Sequence, residues 1–281
     1  MAMFSEDSGQ KRGGDASMVL PAWIQRQVLK YIDEIYARIP RPLPEREKLE
    51  GCRIISHRGA HDNRTVFENT LAAFDRIRDA GVWGIEFDIR WTKDLHPVVI
   101  HDESLLRLYG DSRNIRDLTL SELKSSFGMI PTLKEVIDTY AKKLHLMVEL
   151  KEEAYPDPNY QSRVLQDLFA VLEPAADFHF LSLTPELFKM IAWLPPAAFL
   201  PIAELNVGRL SDLSIRENYG GILGHYLLLT ASVLKKHQNH QQKVGTGFVN
   251  SKRCLFRELN RGVHGVFSDN AIDLQTVCNS P

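Results

Sequence analysis

Cysteine is scarce in this chain of 281 residues: Cys52, Cys254 and Cys278 are an odd number, widely spaced, with neither a Cys-x-x-Cys pair nor the Cys/His spacing of a metal site. A disulfide framework is therefore not expected, and the usage fits a reducing compartment, so a cytoplasmic location is the expectation. Long apolar runs are missing too. No stretch of 18 or more apolar residues occurs, and the first 17 residues carry no apolar segment behind their charges, so neither a membrane-spanning helix nor a secretory signal is expected. Excess charge of either sign is also lacking. Lys and Arg number 34 against 36 Asp and Glu, leaving a net charge of −2, which argues against nucleic acid as a partner. What remains, 44% hydrophobic and 25% charged, is the make-up of a globular protein long enough for one large core.

Residues 1–17 are polar, rich in Gly and Ser and without apolar periodicity, and read as a disordered tail. The segment 18–50 holds Leu20, Ile24, Val28, Ile32, Ile35 and Ile39 at spacings of three or four, the stripe of an amphipathic helix that Pro40 ends. Its expected place is the barrel floor or an adjacent groove. Its mixed polar face of Arg26, Lys30, Asp33 and Glu34 leaves peripheral contact with a membrane surface, or dimerisation, as the alternative, and the oligomeric state stays open. From 51 to 281 a single domain is expected in which strands and helices alternate. Strand candidates fall at 52–56, 84–90, 97–100, 144–150, 178–182, 198–203, 221–226, 243–249 and 264–268, with helices at 68–80, 132–143, 159–172, 185–192, 210–217, 230–239 and 252–260 between them. This pattern predicts an α/β fold, a TIM-type (β/α)8 barrel with an added N-terminal helix and a short insertion after the third strand. Nine candidates compete for eight positions. Since the link from Arg90 to Pro97 is too short for a helix, one of them is expected to be a hairpin partner or a rim strand.

Ionisable residues gather where these apolar runs end: His57-Arg58-Gly59, Glu86-Phe87-Asp88, His101-Asp102 and Glu149-Leu150-Lys151. Brought to one carboxyl edge, such charges repel one another unless a divalent cation and an anion lie among them, so the cluster points to a metal and a phosphate. Residues two apart on a strand face the same way, which aims Glu86 and Asp88 together and turns Phe87 to the covering layer. With Glu149 from another strand they offer hard oxygen ligands suited to one divalent cation, Ca2+ or Mg2+. The plainer reading is a set of carboxylates paired with Arg58, Arg90 and Lys151. Two histidines at neighbouring strand ends favour a site instead, because active sites are built on that face of such barrels. His57 and His101 suit proton transfer near neutrality, with His57 read as base, His101 as acid and the reverse order left open. Arg58 and Lys151 suit phosphate oxygens. Glu68, grouped with them, stands where it can orient Arg58 or a histidine. The other histidines, among them His61, His96, His225, His237 and His240, read as surface or packing residues.

The string ISHRGAHDNRTVFENTLAAFDRIRDAGVWGIEFDIRWTKDLHPVVIHDESLLRL, residues 55–108, resembles the amino-terminal signature of glycerophosphodiester phosphodiesterases. The likeness continues through Ile115-Arg116-Asp117-Leu118-Thr119, Ile130-Pro131-Thr132-Leu133 and Glu149-x-Lys151, and it closes on Gly262-Val263-His264-Gly265-Val266-Phe267-Ser268-Asp269. The resemblance implies a TIM-type barrel and metal-dependent cleavage of a small-molecule phosphodiester. Glycerophosphocholine or glycerophosphoethanolamine would give sn-glycerol 3-phosphate and an alcohol. It implies acid/base roles for His57 and His101, metal ligation by Glu86, Asp88 and Glu149, and phosphate contact by Arg58 and Lys151. Three departures stand out. Phe67 occupies the place of a usual Pro, the short segment between His101 and Glu149 reduces any lid, and Gly247 stands where the family often has Trp, which predicts a different or wider pocket wall. The alternative activity is a lysophospholipase D acting on lysophospholipids at a membrane surface, aided by the helix at 20–39. A phosphate-ligand sensor without turnover is disfavoured, since no histidine or metal carboxylate is lost.

Overall fold

The computed structural model describes residues 31–280. Nine strands form among them: β1 (Arg53–His57), β2 (Gly84–Trp91), β3 (Pro97–Val99), β4 (His145–Leu150), β5 (Phe178–Ser182), β6 (Phe199–Ala203), β7 (Gly221–His225), β8 (Lys243–Gly247) and β9 (Gly265–Ser268). Eight run parallel in the order β1-β2-β4-β5-β6-β7-β8-β9, and β9 pairs back to β1, which closes a (β/α)8 barrel of TIM type. The ninth is β3. It folds back antiparallel on β2 through Ile89↔Val99 and Trp91↔Pro97, a hairpin partner at the rim as the short link before Pro97 requires.

Because parallel strands are covered on both faces, their sequences are near-continuous apolar runs. Ile54, Ile85, Phe87, Leu146, Val148, Phe178 and Phe180 point outward into one large core against the helices. Phe74, on the helix Leu71–Asp79, packs 5.8 Å from Phe87 and edge-on to Tyr140 at 5.7 Å. Tyr140 donates its hydroxyl to the Leu71 carbonyl and to Asp75, tying two neighbouring helices to the same strand. Helix starts are capped as the sequence allows. Thr70 accepts from the Ala73 amide, and Thr132 with Glu135 forms a reciprocal capping box.

Inward-facing residues stack in three levels. Ile55, Met147, Leu181, Leu200, Leu223 and Phe267 form an apolar middle layer. One strand step toward the carboxyl ends brings His57, Glu86 and Glu149 to the mouth, and one step toward the amino ends brings Arg53, His145, His179 and Lys243 to the floor.

The insertion after β3 is small but has its own core. Val98, Ile100, Leu105, Ile115, Leu118, Leu123 and Ile130 cluster there, around the helices Leu106–Tyr109 and Leu120–Ser126. Several boundaries differ from the sequence reading. The helix expected at 68–80 begins at Leu71 and that expected at 210–217 at Val207, those expected at 132–143 and 159–172 end at Tyr140 and Phe169, and the segment expected as a helix at 185–192 is 3-10 over Pro185–Ile191. The expected tail 1–17, and the part of the amphipathic helix before residue 31, lie outside the described residues. Its remainder, 31–36, is helical. This part packs near the carboxyl end of β7: Tyr226, just past that strand, donates its hydroxyl to Asp33 and meets Tyr36 edge-on at 5.5 Å, with Arg257 over both tyrosine rings. Among the described residues no helix is long and apolar enough to cross a membrane.

Phe74→Ala removes the ring that joins β2 to the helix layer at a fully buried position, and should cost about 3–5 kcal/mol of unfolding free energy. Urea denaturation of the two proteins measures it; an unshifted midpoint would contradict the packing described.

Candidate active site

The mouth of the barrel concentrates negative charge. Strand alternation puts Glu86 and Asp88 on one inward face, and β2–β4 register sets Asp88 directly beside Glu149. One carboxylate oxygen from each of Glu86, Asp88 and Glu149 lies within 4.8 Å of the other two, and all three residues are buried. Two cations share this space. Lys151 sits 2.7 Å from Asp88 Oδ1 and donates to Glu149 Oε1 at 2.6 Å, while Arg58 Nε stands 3.3 Å from Asp88 Oδ2. Asn69 also donates to Asp88 Oδ2, at 2.9 Å. Arg90, grouped with these cations in the plainer sequence reading, turns away to Glu153 and to the His101 carbonyl.

The trio is unevenly compensated. Burial raises the Asp88 carboxyl, but Lys151 and Arg58 outweigh it and hold the group well below the ordinary carboxylate range. Glu86 goes the other way, raised by burial and by the charges of Asp88 and Glu149. Its Oε2 is buried without a hydrogen-bond partner. An orphaned oxygen beside two further hard oxygen ligands fits a divalent cation such as Ca2+ or Mg2+, which would offset the surplus charge.

Each histidine is anchored through Nδ1 to a carboxylate. His57 meets Asp269 Oδ1 at 2.7 Å and His101 meets Asp102 Oδ1 at 2.6 Å. A carboxylate only accepts, so Nδ1 carries the hydrogen and Nε2 is left to exchange a proton. Asp269 is itself fixed: Asn250 donates Nδ2 to its Oδ2, and the Asn250 Oδ1 accepts from the Asp269 amide. The environments push the two imidazoles apart. For His57, burial opposes protonation, but Asp269 and Glu86 outweigh it and the pKa rises. For His101, burial dominates, Arg58 and Lys151 add to it, and the pKa falls to about 4. Without a cation, His57 therefore holds a proton more tightly than His101 does. Part of the His57 rise comes from Glu86, whose charge a bound cation would offset.

A left-handed turn places Arg58. Its φ of +61° and that of Gly59, +83°, swing the chain inward at the end of β1. A side chain at Gly59 would put its Cβ 2.7 Å from that of Ala73, so the glycine is sterically required. Buried Glu68 accepts from Arg58 at 3.0 Å, from Arg107 through both terminal nitrogens at 2.6 and 3.1 Å, and from Asn63 at 2.7 Å. Arg107, from the insertion, also donates to Asp102. A continuous chain thus runs from His101 through Asp102, Arg107, Glu68 and Arg58 to Asp88. Glu68 orients Arg58, one of the two roles read for it. Asp102, Arg107 and Asp269 lie within the sequence motifs but carry no role that the motifs assign; only the fold brings them, with Asn250, to the histidines.

At the expected gap in the wall, Gly247 is followed by Phe248, whose φ of +63° turns its ring toward the mouth. The ring stacks on His225 at 5.3 Å and faces His57 edge-on at 6.1 Å, so an aromatic wall is present despite the glycine. Beside His101, an open hollow of about 460 Å³ is lined by Arg90, Asp102, Ser104, Leu106 and Arg107.

Fold and site together define a (β/α)8-barrel protein with an acidic centre and a pair of carboxylate-anchored histidines at its strand ends. The sequence profile of the glycerophosphoryl diester phosphodiesterase family matches residues 57–272, and the chain belongs to that family. It is 29% identical over 239 residues to a glycerophosphodiester phosphodiesterase of Bacillus altitudinis, covering 77% of this chain and 94% of that protein. With one from Caldanaerobacter subterraneus it shares 38% identity over 125 residues, 40% of this chain and about half (51%) of that relative's length. Among solved structures, a phosphodiesterase of Oleispira antarctica in complex with the product sn-glycerol-3-phosphate superposes with a TM-score of 0.71. Its identity is 23%, over 81% of this chain and 97% of that one. A glycerophosphodiester phosphodiesterase of Thermotoga maritima gives 0.69 at 24% identity, over 80% and 98%. At these identities the superpositions show the fold.

Burial alone would raise the Glu68 carboxyl, but Arg107, Arg58 and Asn63 outweigh it and hold it at about 2 against an ordinary 4.5. A group depressed on folding contributes stability above its unfolded pKa and loses it as pH falls through the folded value, here between about 4.5 and 2. Glu68→Gln should therefore cost about 3 kcal/mol at pH 7, and the difference from the parent should narrow below pH ~4; denaturation midpoints at a series of pH values measure it. Asp269→Asn should lower the His57 pKa by about one unit or more, seen in an NMR titration of the imidazole, since it removes the adjacent negative charge.

Proposed function

We propose that the chain hydrolyses glycerophosphodiesters, such as glycerophosphocholine or glycerophosphoethanolamine, to sn-glycerol 3-phosphate and an alcohol, with His57 and His101 as the proton-transfer pair. The observation that carries this reading is the anchoring of both imidazoles through Nδ1 beside an acidic trio flanked by Arg58 and Lys151. Family membership and the product bound to the Oleispira antarctica relative support the substrate class. Phosphodiester hydrolysis needs one group to deprotonate the attacking oxygen and another to protonate the departing alkoxide. Two Nε2 atoms with unlike proton affinities meet that need. The attacking oxygen is the glycerol 2-hydroxyl, giving a cyclic phosphate, or water.

Glu86, Asp88 and Glu149 would hold one divalent cation, Ca2+ or Mg2+, which when bound supplies charge neutralisation for the non-bridging phosphate oxygens. Arg58 and Lys151 bind and orient those oxygens, and Glu68 and Arg107 keep Arg58 in place. The Phe248 ring and the hollow at Leu106 border the places left for the two substrate halves. Three free cysteines fit a cytoplasmic setting.

Release of glycerol 3-phosphate from a panel of glycerophosphodiesters and lysophosphatidylcholine, with chelator and with added Ca2+ or Mg2+, tests the reading. Soluble glycerophosphodiesters should be cleaved, and the chelator should abolish turnover. Preferential cleavage of lysophosphatidylcholine would move the assignment to a lysophospholipase D. His57→Ala and His101→Ala should each lower kcat by about 10²–10⁴ with the fold intact, and a variant that keeps parental kcat would remove that histidine from the mechanism.

A further inference from the structure

Cys52 and Cys278 stand near opposite ends of the barrel domain in sequence, yet the fold brings them together. Each barrel helix runs back along the outside of its strand, and β9 pairs with β1, so the final helix, Ala271–Asn279, ends beside the start of β1. Cys52 immediately precedes that strand, and its amide donates to the Leu49 carbonyl at 3.3 Å. The final helix packs on β1 and on the short helix Arg46–Glu50. Cys278 sits in its last turn, and both cysteines lie half-buried against the edge of the main core. Their side chains are hydrogen-bonded to each other, and both are free thiols.

The contact divides the two thiols by role. A hydrogen bond from Cys52 favours the thiolate at Cys278, outweighing burial, so the Cys278 pKa falls. For Cys52 the same bond and burial both raise the pKa. The thiolate is the nucleophile, so Cys278 reacts first and Cys52 is the thiol held beside it. Cys254, on the helix Lys252–Arg261, is placed differently. It is buried, its thiol is pushed up to about 12 by burial and by Glu258, and no other thiol acts on it.

We propose that Cys52 and Cys278 are a reversible redox pair that closes to a disulfide when the folded protein meets a hydroperoxide. With hydrogen peroxide, the Cys278 thiolate attacks one oxygen and the O–O bond breaks. Cys278 becomes a sulfenic acid, and the departing hydroxide takes a proton to leave as water. The Cys52 sulfur then attacks the sulfenic sulfur, and the hydroxide displaced there takes the Cys52 proton and leaves as a second water. Two thiols are oxidised to one disulfide, and the peroxide is reduced to two waters. The bond fastens the end of the chain to the start of β1, across the seam where β9 closes the barrel. Exchange with small thiols reopens it, so the pair stays reduced in a reducing compartment.

The full-length protein is treated with hydrogen peroxide under native conditions, alkylated in denaturant, and digested without reductant for mass spectrometry. A linked Cys52–Cys278 peptide should appear and be lost on adding dithiothreitol, with Cys254 recovered as an alkylated thiol. The oxidised protein should run as a single chain on a non-reducing gel and unfold roughly 5–10 °C higher, because the cross-link encloses nearly the whole barrel. Cys52→Ser, which keeps a donor hydroxyl, should leave Cys278 as a sulfenic acid that dimedone labels, and Cys278→Ser should leave Cys52 as a thiol. The proposal is overturned if peroxide leaves both residues as thiols in the folded protein, if the linkage joins two chains or takes in Cys254, or if oxidation does not raise the unfolding midpoint.

Discussion

Three carboxylates held within a few ångströms of one another and away from water are the constraint on which the carboxyl end of the barrel is organised. Such a group is costly to bury unless opposite charge is supplied in fixed positions. Lys151 follows β4 directly, two residues beyond Glu149, and its ammonium reaches back to that carboxylate. Arg58 comes from the end of β1 and must turn back, which is why the chain there adopts a left-handed conformation at a non-glycine residue. A guanidinium drawn into that position needs a counter-charge behind it. Glu68 provides one, and Arg107 in turn balances Glu68 and Asp102. The alternation of sign continues outward from the trio until it reaches groups open to water. The insertion after β3, with its own small core, is the scaffold that holds Arg107 at the end of this sequence.

That organisation was legible in the sequence wherever it depends on local periodicity. Glu86 and Asp88 share a face because they are two apart on a strand, and the apolar runs before each charged group marked the strand ends. Barrel closure is what the sequence could not display. Asp269 lies 212 residues from His57, and its contact exists only because β9 pairs with β1. The helix expected from Glu68 begins at Leu71 because Glu68 and Asn69 are engaged with Arg58, Arg107 and Asp88, interactions that outweigh their fit to a helical turn. Gly247 read as a gap for a similar reason. The ring that lines the wall belongs to the next residue, and only the left-handed backbone of Phe248 brings it round. Local pattern is written residue by residue, whereas such turns and long-range closures depend on the whole fold.

The barrel itself separates two charge environments that a smaller core could not keep apart. β1 contributes Arg53 to the floor, Ile55 to the middle and His57 to the mouth, and β4 contributes His145, Met147 and Glu149 in the same order. Each of these two strands therefore spans a basic level, an apolar level and the level of the acidic trio and His57 within two side-chain steps. The apolar layer of Ile55, Met147, Leu181, Leu200, Leu223 and Phe267 excludes water between the ends. A low-dielectric layer of this kind strengthens interactions within each end, where partners are close, and removes the solvent that would otherwise screen them. The layer is also where the fold is least tolerant of volume change. Gly245 sits in it because a Cβ there would come within 2.6 Å of Leu223 and 3.1 Å of Phe267. Overpacking this level would displace β1 and β4 together, and with them His57 and Glu149 at one end and Arg53 and His145 at the other. The placement of His57 and Glu149 at the mouth thus rests on close packing in residues that carry no charge.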